Sequence, residues 1–284
     1  MNTILAPTDL SKCADNAVRY AIRFAEKNKS HLIFFHSTFL HIPTRSSTKL
    51  YLKTVEAEKE NKAKLLSDNI DRIYKGLSKK RNDKTSSLIV KYSPEAVTDI
   101  MQMLKKKSID LVIMGTKGAS GVKEVLIGSN TAKVISEAKV PIIAVPEKAE
   151  FTSIGKITYA TDYHASDISA LKKLIAFISP FKPPINVLHA ANEELTPYTE
   201  MALLNQFKYK AKKNLKYPRL SFAVKYGKQV EKVLQEHIRE EKPDLIAMST
   251  KDRNLLEKLF GTSSTQKMAY HSQIPLLAFH HKGQ

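Results

Sequence analysis

The sequence predicts an α/β chain made of two tandem parallel sheets, each covered by helices on both faces. Three observations carry that prediction. Short apolar runs alternate with amphipathic helical patterns over the whole chain, the signature of parallel strands joined by crossover helices. The order of those segments then starts again in the second half. One strand-to-helix junction, Met114 to Thr131, is also patterned with glycines more regularly than a plain connection needs.

Taken in order, Thr3 to Ala6 is a short apolar strand that ends in Pro7-Thr8-Asp9. Ser11 then caps a helix in which Ala14, Ala17, Val18, Ala21, Ile22 and Ala25 form a single stripe of buried-type residues. The small size of that stripe implies close packing on a sheet. His31 to Phe35 is the second strand, with His36 and Ser37 at its carboxyl end. A polar connection, His41 to Thr48, leads to a long charged helix from about Lys49 to Leu77. Leu88 to Val90 is the third strand, and Pro94 opens a helix that turns Val97, Ile100, Met101 and Leu104 inward. Asp110 introduces the fourth strand, Leu111 to Met114, and the glycine stretch follows it. A helix from Asn130 to Ala138 and a fifth strand, Val140 to Pro146, complete the unit.

The echo is residue by residue. Ile157 to Asp162 repeats Ile4 to Asp9, Asn186 to His189 repeats Ile33 to His36, and Val224 to Gly227 repeats Val90 to Ser93. Pro243 to Ser249 repeats Ile109 to Gly115, and Ile274 to Phe279 repeats Val140 to Val145, at offsets of about 134 to 153 residues. The chain is therefore read as a tandem duplication. Residues 1–148 form one domain and 154–284 the other, with a polar linker, Glu147 to Gly155, between them.

Composition narrows the function classes. At 284 residues and 42% hydrophobic the chain can bury two ordinary cores. It has no apolar run near the length of a membrane helix and no signal-type start, which predicts a cytoplasmic protein without a membrane partner. Its single cysteine, Cys13, excludes a disulfide framework or a multi-cysteine metal site and is expected to be a buried thiol. The formal charge of +18 is shared by both halves, with 26 Lys and Arg against 15 Asp and Glu in residues 1–148 and 20 against 13 in the rest. A solvated, lysine-rich surface accounts for it, and no motif for specific nucleic-acid recognition accompanies it.

The glycine stretch carries the chemistry. Gly115, Gly118, Gly128 and Ser129 give G-x2-G-x9-G-S. Such glycines permit positive φ and let an anion approach the amides closely. The following helix opens with Ser129, Asn130 and Thr131, adding hydroxyls, unpaired N–H groups and the positive end of a helix dipole. The pattern suits phosphate, against the plainer reading of a strand-to-helix connection that carries glycines.

On these residues each half resembles the universal stress protein domain, and the whole chain resembles a tandem member of that family. The glycine stretch fits the family's ATP-binding signature without insertion. The resemblance implies two Rossmann-like domains of the adenine nucleotide alpha hydrolase type, each a five-stranded parallel sheet in order 3-2-1-4-5. It also implies ATP as the ligand, with Mg²⁺ on the phosphates left open. Pro7, Thr8 and Asp9 would border the nucleoside, Ser37 would offer backbone groups to the adenine edge, and Met114 and Gly115 would line the ribose side. Gly118, Gly128, Ser129, Asn130 and Thr131 would hold the phosphates, with Lys117 as counter-charge. Asp9 could instead only cap the first helix, and Thr131 could be an ordinary first-turn residue. The family pairs domains through the last strand, which implies that Ile274 to Phe279 pairs with Val140 to Val145 inside this chain; further association to a homodimer stays open.

The second half departs from the pattern. Ser249 replaces Gly115, Asp252 replaces Gly118, and the spacing to Gly261 is one residue shorter. A carboxylate where phosphate should approach is repulsive, so ATP is expected in the first half alone. The resemblance implies a regulatory stress-response protein rather than an enzyme. The alternative is a slow ATPase or nucleotidyl-transfer enzyme in the same crevice, although no His-x-Gly-His sequence occurs. Near the crevice, His36 is expected to be a structural residue at the strand end.

Overall fold

A computed structural model describes residues 2–40, 47–118, 127–191, 196–250 and 273–280. The first half runs β1 (Thr3–Pro7), α1 (Lys12–Asn28), β2 (His31–Thr38), α2 (Thr48–Gly76), β3 (Ser86–Tyr92), α3 (Ala96–Lys106), β4 (Leu111–Gly115), α4 (Ser129–Glu137) and β5 (Ile142–Val145). The second runs β6 (Ile157–Ala160), α5 (Ala165–Ile178), β7 (Ile185–Ala191), α6 (Pro197–Asn214), β8 (Leu220–Tyr226), α7 (Val230–Glu241), β9 (Leu245–Thr250) and β10 (Leu276–His280).

The ten strands form one sheet in the order β3-β2-β1-β4-β5-β10-β9-β6-β7-β8. Counted from either outer edge, each half has its strands in the order 3-2-1-4-5, and every pairing within a half is parallel. The halves meet at an antiparallel ladder, where Leu276, Leu277 and Ala278 of β10 face Ala144, Ile143 and Ile142 of β5.

Side chains alternate between two apolar layers, as the pleat of a strand requires. Ile4, Ala6, Leu111, Ile113, Ile143, Val145, Leu277 and Phe279 join α1, α2, α5 and α6 on one face. Leu5, Val112, Met114, Ile142, Ala144, Leu276 and Ala278 join α3, α4 and α7 on the other. Both layers run through the β5–β10 junction, so one buried core spans the two copies on each face.

The linker differs from the polar tether that its composition predicts. Ala149, Phe151 and Ile154 are buried. Asn16 donates to the Pro146 and Ala149 carbonyls at 2.8 and 2.7 Å, and Arg23 donates to the Phe151 carbonyl. The Phe151 ring stands edge-on to Tyr20, 4.6 Å away, and also meets Phe181 of the second half. Burying three apolar residues and satisfying three carbonyls through α1 turns a connection into part of the core.

Candidate functional site

β1 and β4 lie side by side, but their connections leave toward opposite faces, β1 into α1 and β4 toward α4. That divergence opens a crevice beyond their carboxyl ends, the place where open α/β sheets take ligands. Its near wall is the turn after β1. Thr8 N–H donates to the Phe35 carbonyl, Thr8 Oγ1 accepts from Leu10 N–H at 3.0 Å, and Asp9 Oδ1 accepts from Ser11 N–H at 3.1 Å. These bonds hold Leu10 at φ 64°, a left-handed conformation costing a non-glycine residue roughly 1 kcal/mol. Ser11 then caps α1 by accepting from Ala14 N–H. The buried His36 donates from Nδ1 to the Thr8 carbonyl at 2.8 Å and so braces this turn from β2.

Ser37 is turned by the β2 ladder so that its N–H and C=O point past the end of β1 into the crevice. Its hydroxyl is committed elsewhere: it donates to Asp99 at 2.8 Å and to the Ser93 carbonyl at 3.1 Å. Burial pushes the Asp99 carboxyl up, but hydrogen bonds from Lys91, Ser37 and Ser93 outweigh it and hold the group below the usual carboxylate range. The side chain of Ser37 therefore serves the floor, leaving only its backbone to a ligand.

The far wall is formed by the two described ends of the glycine stretch, Met114 to Gly118 and Gly128 to Thr131. Gly115 and Gly118 act through close approach, not through the positive φ that the pattern suggests, since neither they nor Gly128 lie in that region. A Cβ on Gly115 would come within 3.1 Å of Cys13 Sγ and 3.2 Å of the Cys13 backbone, so Gly115 lets β4 end against the first turn of α1. A Cβ on Gly118 would come within 3.0 Å of Asp9 Oδ2, so Gly118 lets the two walls meet. Gly128 donates to the Thr116 carbonyl at 2.7 Å and occupies the N-cap of α4 without a side-chain cap. The first N–H groups of α4 thus meet no capping side chain, and Ser129 and Asn130 beside them are exposed. Thr131 is buried and donates to the Gly115 carbonyl at 2.8 Å, tying α4 to the end of β4. Its hydroxyl proton is used in that tie, which makes it a positioning residue.

Pro7, Thr8, Asp9, Ser37, Met114, Gly115, Lys117, Gly118, Gly128, Ser129, Asn130 and Thr131 all line this one crevice, whose space out to its open mouth is about 740 Å³. The sequence reading misses five further lining residues: Ala14, Phe35, Ala96, Val97 and Ile100. They form an apolar shelf. Val97 and Ile100 carry the inward helical spacing that marks them as core, and periodicity alone cannot separate a core face from a shelf. Among the described residues no group of three or more His, Cys, Asp and Glu is arranged to hold a metal. The donor set fits a phosphate ester: uncapped helix N–H groups, a nearby lysine and loop amides, next to an apolar shelf for a flat base.

In the second half the same turn recurs at Thr161, Asp162 and Tyr163, with Tyr163 at φ 62° and His189 Nδ1 on the Thr161 carbonyl at 2.7 Å. The position matching Ala14, however, is Asp167, which is only 1% exposed. It accepts from Tyr159 at 2.8 Å and from Thr161 at 2.6 Å. Burial pushes its carboxyl up to about 6, against the lowering effect of those two bonds. Asp252 and Gly261 lie outside the described residues.

The fold and this crevice define a class: a duplicated, doubly wound α/β protein with an open crevice at the switch point of its first copy. The chain belongs to the universal stress protein family, whose model matches residues 1–146 and again residues 154–280. It is similar to universal stress protein MJ0577 of Methanocaldococcus jannaschii, with 30% identity over 156 residues, 51% of this chain and 94% of that one. Universal stress protein MJ0531 of the same organism is 25% identical over 146 residues, 50% of this chain and 80% of that one. Among solved structures, a universal stress protein from Archaeoglobus fulgidus superposes with a TM-score of 0.69 at 15% identity, covering 98% of both chains. A putative universal stress protein from Pseudomonas aeruginosa gives 0.61 at 13%, covering 99% of this chain and 93% of that one. At such identities the likeness is one of fold.

Proposed function

We propose that the first half, residues 1–148, binds ATP in the crevice between β1 and β4, and that the chain acts as a nucleotide-binding regulatory protein of the stress response. The second half, residues 154–284, is its built-in pairing partner through the β5–β10 ladder. One observation carries the reading: the twelve residues that the family resemblance implies, from separate stretches of sequence, line a single crevice at the switch point. Adenine would lie on the shelf of Val97, Ile100 and Ala96 with its edge at the Ser37 backbone. Ser129, Asn130 and the first N–H groups of α4 would take the phosphates, with Lys117 as counter-charge. ATP supplies a removable signal of the chain's nucleotide state, and the residues named here bind and orient it.

The second crevice does not take ATP in this way, because Asp167 stands where Ala14 borders the first. A buried carboxyl there puts polar bulk and, above its pKa, negative charge against the nucleoside. Calorimetric titration of the purified chain with ATP, after removal of any nucleotide released by denaturing a sample, is expected to give one site per chain. The Gly118→Asp variant is expected to lose it. Two equivalent sites, or full binding by Gly118→Asp, would refute the reading.

A further inference from the structure

The duplication gives α6 and α2 the same place in their halves, after the second strand and on the same face of the sheet. Their outer faces differ in kind. α2 mixes seven Lys and Arg with five Asp and Glu, among them the Lys62–Glu58 pair. The only acid on α6 is Glu200, which is buried and sits 3.6 Å from His189 Nε2. Everything charged that α6 shows to solvent is therefore basic: Lys208, Lys210, Lys212 and Lys213, with Lys216 just beyond.

The apolar residues complete the pattern. Glu200, Leu204, Phe207 and Ala211 form the buried stripe of α6. At about 100° per residue, the direction opposite that stripe is occupied by Tyr198, Ala202, Tyr209 and Lys213. Tyr198 is 85% exposed, Tyr209 68% and Met201 54%. The helix thus docks by one face and presents on the other a convex ridge of tyrosines and lysines about 16 Å long between the two rings. An apolar residue costs free energy on a solvated face, and a single-sign charge row repels itself, so both are relieved by the same anionic, partly apolar partner.

We propose that the outer face of α6 is a peripheral docking surface for an anionic lipid bilayer. A convex ridge has no groove in which to track a nucleic-acid strand, whereas a plane of headgroups can meet all its outermost side chains together. Tyrosine rings suit the headgroup level, and lysine stems reach along it to place their ammonium groups at lipid phosphates. No membrane-crossing helix is needed, and none of the described helices is long and apolar enough to be one.

The test is co-sedimentation of the full chain with vesicles of phosphatidylcholine containing about 30% phosphatidylserine, against phosphatidylcholine alone, in low salt. Binding to the anionic vesicles is expected to be at least about tenfold stronger. The Lys210→Glu, Lys212→Glu, Lys213→Glu triple variant is expected to abolish the difference, and Tyr198→Ser with Tyr209→Ser to weaken binding about threefold to tenfold. These positions are exposed, and a far-UV spectrum and thermal melt check that the variants fold. The matched control Lys53→Glu, Lys59→Glu, Lys64→Glu on α2 is expected to bind as the parent does. Equal binding by the α6 and α2 variants overturns the proposal, as does equal binding to both vesicle types. Displacement of the vesicles by a short oligonucleotide at lower concentration, sensitive to the α6 lysines, overturns it in favour of a nucleic-acid partner.

Discussion

The turns at Thr8 and Thr161 are built alike, down to a left-handed residue at φ 64° in one and 62° in the other and a histidine Nδ1 on each threonine carbonyl. The crevices beyond them are not alike. In the first half Ala14 leaves room beside the turn, and in the second Asp167 fills the matching place and binds Tyr159 and Thr161. Tyr159 itself stands where the first half has Ala6, so the places of two small residues hold an acid and a phenol that satisfy each other. The difference teaches that the backbone of such a turn can persist while the residues packed beside it change. A shared turn is evidence of ancestry, and the residues around it decide whether a ligand enters.

Transferring the difference should have the largest effect. Ala14→Asp is expected to weaken ATP binding at least about 100-fold, because it adds a poorly solvated carboxylate beside the nucleoside. Unchanged affinity in titration calorimetry, with the fold intact by circular dichroism, would break the comparison.

A second experiment tests the cost of the acid where it occurs. The Asp167 carboxyl is pushed up to about 6 by burial, above its unfolded value, so folding favours its protonated form. The stability it contributes is present below about pH 4, falls as pH rises toward 6, and levels off beyond. Asp167→Asn is expected to flatten that slope, shrinking the fall between pH 4 and pH 7 by roughly 2 kcal/mol in urea denaturation. An unaltered pH profile would mean that the acid is not the strained element of the second half.

The smallest effect sharpens the picture of the adenine edge. Ser37→Ala removes a hydroxyl that serves Asp99, so stability should fall by about 1 to 2 kcal/mol while ATP affinity stays within about threefold. A loss of affinity much larger than that would put the hydroxyl in contact with the ligand.

Much of this was legible in the sequence, for identifiable reasons. Alternating periods of strand and helix are local and survive any context, and α2 at Thr48–Gly76 lies within a residue of its predicted ends. Duplication added a second reading of every strand. The glycine stretch was legible as a place but not as a mechanism. Its spacing suggests conformational freedom, whereas Gly115 and Gly118 sit where Cys13 and Asp9, about a hundred residues away, crowd the space that a Cβ would take. The Ser37–Asp99 bond and the Tyr159–Asp167 bond were illegible because they join residues whose nearness depends on the packed sheet. The linker misled for the same cause: Ala149, Phe151 and Ile154 are scattered among polar residues, and the aromatic group of Tyr20 and Phe181 that buries Phe151 forms only in the packed fold.

The antiparallel ladder between β5 and β10 has a consequence for how this protein can change. A dimer of identical chains meets itself across a twofold axis, so every substitution at the seam appears twice and must suit its own mirror. Here the seam joins Ile142–Val145 to a strand of different sequence, Leu276–His280, within a single molecule. Dilution cannot part the two, and no foreign subunit can exchange into the pair. Each copy is therefore free to mutate alone, and a substitution at one crevice leaves the residues of the other as they were.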